Sequence, residues 1–115
     1  MDSSKRPWGA YQVLRDAEDF KAKLISVDVG QAISYQYHSK RREHWIIVSG
    51  KGEVVLNDFV MPVSAGQHIF VEIGVKHRIR NTGTISLRFV EVQLGTYFGE
   101  DDIVRLEDDY NRCKE

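Results

Sequence analysis

Short segments that alternate apolar and polar residues, separated by Gly, Asn or Asp, fill the chain from Tyr11 to Leu94. Alternation with a period of two is typical of β-strands with one buried face. Turns are indicated at Gly50 to Gly52 and at Asn57-Asp58, where a hairpin is expected. The predicted strands are Lys23 to Val27, Ile33 to His38, Glu43 to Val48, Glu53 to Leu56, His68 to Ile73, His77 to Asn81 and Ile85 to Leu94. Many short strands at this spacing predict an all-β sandwich or barrel.

The end of the chain has a different pattern. Ile103, Leu106 and Tyr110 are spaced as on one face of a helix. The acidic residues Glu100 to Asp102 suit the N-terminus of a helix, where the helix dipole favours negative charge. We therefore predict a short amphipathic helix from Asp101 to Tyr110.

The 115 residues have the size of one domain, so we expect a single domain over residues 1–115 with residues 1–5 loosely held. The net charge of −1 provides no basic field, so neither nucleic acid nor anionic lipid is an expected partner. No apolar run approaches the ~20 residues needed to cross a bilayer. The polar start lacks the apolar core of a secretion signal, and the single cysteine, Cys113, fits a reducing cytoplasm.

Two glycine-containing segments carry residues with metal-ligating side chains. In the first, Gln36 and His38 are two apart and leave the same face of a strand, and Glu43 begins the next strand. In the second, His77 begins a strand shortly after Gly74. An isolated His or Gln on a strand is usually a satisfied polar residue, but the joint spacing favours a common site. Two imidazoles, a carboxylate and an amide oxygen suit a divalent metal such as zinc.

The spacing resembles the two motifs of the cupin superfamily, Gly-x5-His-x-His-x3-4-Glu-x6-Gly and Gly-x5-Pro-x-Gly-x2-His-x3-Asn. This chain has Gln36 in the first histidine position and Glu72 in the proline position. The resemblance implies an all-β cupin (jelly-roll) barrel with one metal ion held by Gln36, His38, Glu43 and His77.

A second resemblance, to type II phosphomannose isomerases, covers nearly the whole chain. It is carried by Arg6-Pro7-Trp8-Gly9-x-Tyr11, Gln36-x-His38-x-x-Arg41-x-Glu43-His44-Trp45 and Glu91-Val92-Gln93-x-Gly95-x-Tyr97-x-Gly99-Glu100-Asp101-Asp102-Ile103-Val104-Arg105. It implies an isomerase for mannose-6-phosphate and fructose-6-phosphate that uses zinc, or else manganese, cobalt or nickel. The family's barrel is often one half of a bifunctional enzyme whose other half is a mannose-1-phosphate guanylyltransferase. No Gly-rich nucleotide loop of that half is recognisable in this sequence.

Three residues are candidates for the catalytic base that such an isomerase needs. Glu91 ends an apolar stripe on one strand face, where it lies either in a polar pocket or in a salt bridge at the rim. Lys23 shares a face with apolar residues and points either toward a ligand or out to solvent. His44 is the third candidate, although a regular strand would turn it away from Glu43.

Arg41, Arg78 and Arg105 are candidates for binding the substrate phosphate, because a guanidinium grips phosphate with two hydrogen bonds. The alternative is that the first two are solvated surface charges and that Arg105 pairs with a nearby aspartate. Gln93 shares the strand face of Glu91 and is a further candidate for substrate binding.

A barrel of this size leaves strand edges exposed, so we expect a homodimer formed by strand addition. Trp8 and Tyr11 are expected in the core or at that interface, whereas Trp45 is expected to pack inside the barrel. Two rival functions remain open. One is a non-catalytic metal-containing cupin that binds a sugar phosphate or sugar nucleotide, and the other is a different metal-dependent cupin enzyme, such as an epimerase or dioxygenase.

Overall fold

The computed structural model describes residues 3–107, which form eleven β-strands and a single turn of 3-10 helix at Glu100–Asp102. The strands are β1 (Ser3–Arg6), β2 (Gly9–Asp16), β3 (Phe20–Val27), β4 (Tyr35–His38), β5 (Arg41–Ser49), β6 (Lys51–Leu56), β7 (Phe59–Ser64), β8 (His68–Val71), β9 (His77–Asn81), β10 (Leu87–Gly95) and β11 (Ile103–Glu107). The all-β class predicted from the alternating segments is confirmed.

The strands are divided between two antiparallel sheets. One has six strands in the order β1-β2-β3-β10-β5-β8, and the other has five in the order β11-β4-β9-β6-β7. From β3 onward the chain passes back and forth between the sheets, with only the β6–β7 hairpin remaining in one of them. Consecutive parts of the sequence therefore supply opposite walls of one interior, as in a jelly roll.

Alternation along the strands decides which side chains enter that interior. Trp45, Ile47 and Phe89 are almost fully buried in the apolar core. Lys23 and Glu91, on the same inward faces of β3 and β10, are also buried. The apolar core therefore continues directly into a polar region along the same strands.

The predicted hairpin at Asn57-Asp58 is confirmed. Both residues have positive φ angles, 46° and 68°, as the type I′ turn of a two-residue hairpin requires. Asn57 also exchanges hydrogen bonds with Lys76, donating from its backbone N–H to Lys76 O (2.8 Å) and accepting at Oδ1 from Lys76 N (2.9 Å). The turn therefore holds the residue that immediately precedes His77.

The predicted C-terminal helix is wrong within the residues that the structure describes. Ile103–Glu107 is a strand, and it pairs antiparallel with β4, placing Ile103 opposite His38 and Arg105 opposite Gln36. The spacing of apolar residues in so short a segment is compatible with either a helix or a strand. Pairing with β4 favours the strand. Residues 108–110 of the predicted helix lie outside the described residues.

No helix in the described part of the chain is long and apolar enough to cross a membrane.

The start of the described chain forms an edge strand. Ser3–Arg6 pairs with β2 in register from Ser3 opposite Gln12 to Arg6 opposite Gly9. Trp8, in the connection between β1 and β2, is only 8% exposed and belongs to the core. It is therefore not free to anchor an interface with another copy.

Asn81 is the residue whose loss should most clearly weaken the fold. Its side chain is buried, donates from Nδ2 to Val27 O (2.9 Å) and Ile85 O (2.8 Å), and accepts at Oδ1 from Gly83 N (2.9 Å). An Asn81→Ala substitution leaves these buried groups unpaired, so we expect the free energy of unfolding to fall by about 2 kcal/mol or more. Urea denaturation measures this, with the exposed Thr82→Ala as control. An unchanged midpoint for Asn81→Ala would contradict the structural role.

Candidate metal centre

Three predicted metal ligands meet inside the barrel. His38 ends β4, Glu43 lies in β5 and His77 begins β9. Each offers one ligand atom, and these atoms all lie within 4.8 Å of one another. The exposed fractions of the three residues are 2%, 1% and 1%. Such a cluster of two imidazoles and a carboxylate has the composition and the compactness of a site for one divalent ion.

The connections next to the ligands are held by hydrogen bonds. Ser39 and Lys40, which separate β4 from β5, donate to the carboxylate of Asp102 from Ser39 N (3.2 Å), Ser39 Oγ (2.7 Å) and Lys40 N (3.0 Å). Gly74 N donates to His38 O at 2.8 Å, which ties the turn before His77 to the end of β4. The connection between His38 and Glu43 and the turn before His77 are therefore each held by hydrogen bonds.

The protonation of His77 suits a metal ligand. Its Nδ1–H donates to Val75 O at 3.0 Å, which leaves Nε2 as the nitrogen with a lone pair. Burial lowers the pKa of His77 to about 4, so the ring is neutral at neutral pH. Nε2 is buried and has no hydrogen-bond partner among the described residues. A neutral imidazole oriented through its other nitrogen is the usual form of a ligating histidine.

The carboxylate of Glu43 is held in its ionised form. Oε2 lies 3.1 Å from His38 Nε2 and accepts from Arg41 Nε at 3.0 Å, while Oε1 accepts from Trp45 Nε1 at 2.9 Å. Burial alone would raise the pKa of Glu43, but the hydrogen bond from His38 and the charge of Arg41 hold it well below its usual range. Glu43 is thus an anionic oxygen donor beside the two imidazoles.

Gln36 lies next to this cluster but is not one of the three residues whose ligand atoms lie within 4.8 Å of one another. It is directly opposite His77 in the β4–β9 pairing and is partly buried. Its Oε1 accepts a hydrogen bond from Ser34 Oγ at 2.6 Å. An amide oxygen has a second lone pair, so the assignment of Gln36 as a fourth ligand stays a prediction.

A pocket opens beside the cluster and is rich in polar side chains. Its polar lining residues are Arg6, Tyr11, Lys23, Gln36, Arg41, Glu91 and Arg105. Four of the candidates chosen from the sequence for catalysis or substrate binding therefore border one space, namely Lys23, Arg41, Glu91 and Arg105.

Glu91 contributes a carboxyl group to the pocket and is not one of the candidate metal ligands. It is 6% exposed and lies opposite Lys23 in the β3–β10 pairing. Burial raises the pKa of Glu91 to about 8, and the nearby charge of Glu43 adds to the shift while Lys23 opposes it. Gln93 is fully buried and donates from Nε2 to Glu91 Oε1. Gln93 therefore contacts the catalytic candidate and is not among the residues that line the pocket.

Two of the candidates, His44 and Arg78, lie away from the pocket. His44 is on the outer face of β5, where it stacks on His68 with ring centroids 5.1 Å apart and contacts its Nε2 through Nδ1 at 2.9 Å. Arg78 alternates with the buried His77 and Ile79, and it contacts Glu107 at the surface, with 3.9 Å between Arg78 Nη1 and Glu107 Oε2. In both cases the strand alternation that buries the neighbouring residue turns this side chain outward.

Arg41 lines the pocket and also contacts the candidate metal ligands. It is 3% exposed, and besides its bond to Glu43 it contacts His38 Nε2 through Nη2 at 3.3 Å. Nη1 donates to the carbonyl oxygens of Phe98 and Gly99 at 3.4 and 3.5 Å. The guanidinium therefore links the ligand cluster to the segment after β10, and a solvated surface position for it is excluded.

Sequence reasoning missed Arg6 and Tyr11 as pocket residues. Arg6 Nη2 donates to the Tyr11 hydroxyl at 3.1 Å, and the guanidinium lies 4.8 Å from the centroid of the ring. Lys23 Nζ lies 4.4 Å from the same centroid. Both residues belong to the opening motif Arg6-Pro7-Trp8-Gly9-x-Tyr11, which was a signal that they could face the site. Their contact across the β1–β2 turn could not be predicted from the sequence.

Comparison with solved structures assigns the fold to a class. An uncharacterised conserved protein with a double-stranded β-helix domain from Klebsiella pneumoniae subsp. pneumoniae superposes with a TM-score of 0.70 at 25% identity, covering 76% of each chain. The double-stranded β-helix is the cupin barrel, so the predicted fold class is confirmed apart from the helix. Within this class, the chain belongs to the family described as mannose-6-phosphate isomerase C-terminal, whose model matches residues 2–108.

Curated relatives agree with this membership. The xanthan biosynthesis protein XanB of Xanthomonas campestris is 47% identical over 107 residues, which cover 93% of this chain and 23% of that protein. A mannose-1-phosphate guanylyltransferase of Escherichia coli is 43% identical over 108 residues, which cover 94% of this chain and 23% of that protein. The chain thus spans less than a quarter of the length of the curated relatives it matches.

Metal binding should depend on the buried imidazoles. Protein purified without chelators is expected to contain about one divalent ion per chain by elemental analysis, as a single cluster of this kind implies. His38→Ala and His77→Ala should each lose most of the metal, because each removes one of three donors within 4.8 Å. His68→Ala, at an exposed histidine of β8, is the matched control. Variants of His38 and His77 that retain as much metal as the parent would refute the site.

Proposed function

We propose that this domain is a metal-dependent aldose–ketose isomerase that interconverts mannose-6-phosphate and fructose-6-phosphate. The observation that carries the proposal is the juxtaposition of Glu91, a buried carboxyl group outside the ligand set, with the His38, Glu43 and His77 cluster. The family supports a sugar phosphate as substrate. A mannose phosphate is also the substrate implied by the name of the guanylyltransferase relative.

The reaction requires a proton to move between C1 and C2 through a cis-enediol, and we assign this transfer to Glu91. A general base works best when its pKa lies near the operating pH, and burial brings the pKa of Glu91 to about 8. Such a carboxyl group can accept a proton from one carbon and return it to the other. Lys23, opposite Glu91 in the adjacent strand, supplies positive charge on the same side of the pocket.

A divalent ion such as zinc, held by His38, Glu43 and His77 with Gln36 as the proposed fourth ligand, would supply a Lewis acid for the adjacent sugar oxygens. The protein's own contribution is orientation. Arg41 holds the carboxylate of Glu43 through Nε at 3.0 Å. Apolar residues behind the cluster, including the fully buried Trp45, keep water away from it.

This activity would feed the synthesis of activated mannose and polysaccharide in the cytoplasm. One curated relative is named for xanthan biosynthesis and another is a mannose-1-phosphate guanylyltransferase. A mannose-6-phosphate isomerase supplies the hexose phosphate from which such products are built.

Replacing the base should reduce turnover without disturbing the metal. We expect Glu91→Gln to lower kcat by ~100-fold or more, because it removes the group that transfers the proton. A coupled assay of mannose-6-phosphate conversion with defined metals measures this, and elemental analysis of the same sample checks the metal content. Glu53→Gln, at an exposed position of β6, is the matched control and should keep full activity.

Two results would count against these assignments. Full kcat in Glu91→Gln would remove Glu91 as the base while leaving the isomerase proposal intact. A metal-loaded parent protein that is inert on mannose-6-phosphate would instead refute the isomerase proposal and favour a non-catalytic sugar-phosphate binder.

Homodimer formation is part of the same proposal. β1 and β8 are the edge strands of one sheet, and β11 and β7 are those of the other. Pairing of an edge strand with its counterpart in a second copy would cover backbone groups that are otherwise unpaired. We expect light scattering at micromolar concentration to give twice the monomer mass. The monomer mass under these conditions would contradict a stable dimer.

A further inference from the structure

Two arginines border the pocket from opposite sheets. Arg6 ends β1, an edge strand of the six-stranded sheet, and Arg105 lies in β11, an edge strand of the five-stranded sheet. Both line the pocket that also contains Glu91. Neither belongs to the group of His38, Glu43 and His77. The proposed chemistry leaves the function of this pair of arginines unexplained.

Arg6 is held in place by the residues around it. Nη2 donates to the Tyr11 hydroxyl at 3.1 Å, Nη1 donates to Lys5 O at 3.0 Å, and the guanidinium lies 4.8 Å from the centroid of the Tyr11 ring. These contacts use neutral groups only. The positive charge of Arg6 is therefore oriented at the pocket without being neutralised by an anion among residues 3–107.

Arg105 has a hydrogen-bond donor without a partner in the described part of the chain. Its Nε is buried and has no partner among residues 3–107. A buried donor without a partner is costly unless a ligand or water satisfies it. Within the same part of the chain Arg105 forms no ion pair, and neither does Arg6, whereas Arg42 pairs with Glu72 and Arg78 with Glu107.

We propose that Arg6 and Arg105 together form the subsite for the phosphate monoester of the substrate, with Tyr11 positioning Arg6. Two guanidinium groups present several donors in fixed planes and match the oxygens of a dianionic phosphate. A phosphate held there would keep the sugar in the pocket that Glu91 also lines, so the subsite would help to orient the reacting carbons. The assignment to a sugar phosphate depends on the proposed function, whereas the anion subsite itself depends only on the two arginines.

Binding measurements can isolate this subsite. NMR titrations would compare mannose-6-phosphate, mannose and inorganic phosphate as ligands, in the Glu91→Gln background so that turnover does not change the ligand. Arg6→Gln and Arg105→Gln should each weaken binding of mannose-6-phosphate by about tenfold to a hundredfold, the usual loss for charge-assisted hydrogen bonds. Binding of mannose should stay unchanged. Arg88→Gln, on the outer face of β10, is the matched control and should bind all three ligands as the background does.

A conservative variant separates binding from folding. Arg6→Lys keeps the charge and loses the planar fork, so it should bind mannose-6-phosphate better than Arg6→Gln and less well than the arginine protein. Equal losses for mannose and mannose-6-phosphate in the glutamine variants would overturn the subsite, since they would indicate general damage to the pocket. Unchanged binding of mannose-6-phosphate would overturn it as well.

The remaining outcomes distinguish the subsite from the proposed function. Inorganic phosphate that binds as tightly as mannose-6-phosphate would refute the sugar-phosphate assignment. A parent protein that is inactive, yet loses mannose-6-phosphate binding on substitution of Arg6 or Arg105, would support the subsite and refute the isomerase. An active parent whose KM is unchanged by both substitutions would refute the subsite and support the isomerase.

Discussion

The burial of charged and polar groups inside a small apolar barrel is the constraint on which the rest of this structure depends. An ionised carboxylate removed from water is stable only when it is paired and hydrogen-bonded. Glu43 meets this requirement through Arg41, His38 and the indole of Trp45. The pairing also sets the position of the candidate ligands, because the same contacts that stabilise the carboxylate bring the imidazole of His38 to within 3.1 Å of it.

The division of the chain between two sheets explains how so few residues build both a core and a site. The candidate metal ligands come from β4 and β9 of one sheet and from β5 of the other, while Lys23 and Glu91 come from two neighbouring strands of the six-stranded sheet. On each strand the period of two sends every second side chain inward. Apolar residues occupy these inward positions in the core, and polar ones occupy them at the pocket, so one alternating pattern serves both regions.

Strand alternation is also the reason that much of the site could be predicted from the sequence. It put Lys23 and Glu91 on strand faces shared with apolar residues, left open whether each points inward, and already counted against His44, which the structure has on the outer face. Contacts between distant segments could not be predicted in this way. The sequence indicated a helix where Asp102 instead caps the connection after β4, since the hydrogen bonds from Ser39 and Lys40 span more than sixty residues. The pocket-facing position of Arg6 depends likewise on pairing between strands, which local periodicity does not reveal.

The bond network of Asp102 has a consequence for the order in which the protein would come apart. β11 pairs only with β4 among the described strands and lies at the edge of its sheet, whereas β10 is paired on both sides. Edge segments with few neighbours open at lower free energy than central strands. When residues 102–107 detach, the connection between His38 and Glu43 loses the carboxylate that holds it. Local opening at this edge would therefore disturb the candidate metal site while the six-stranded sheet is still intact, so the site would change at the first step of unfolding and not at the last.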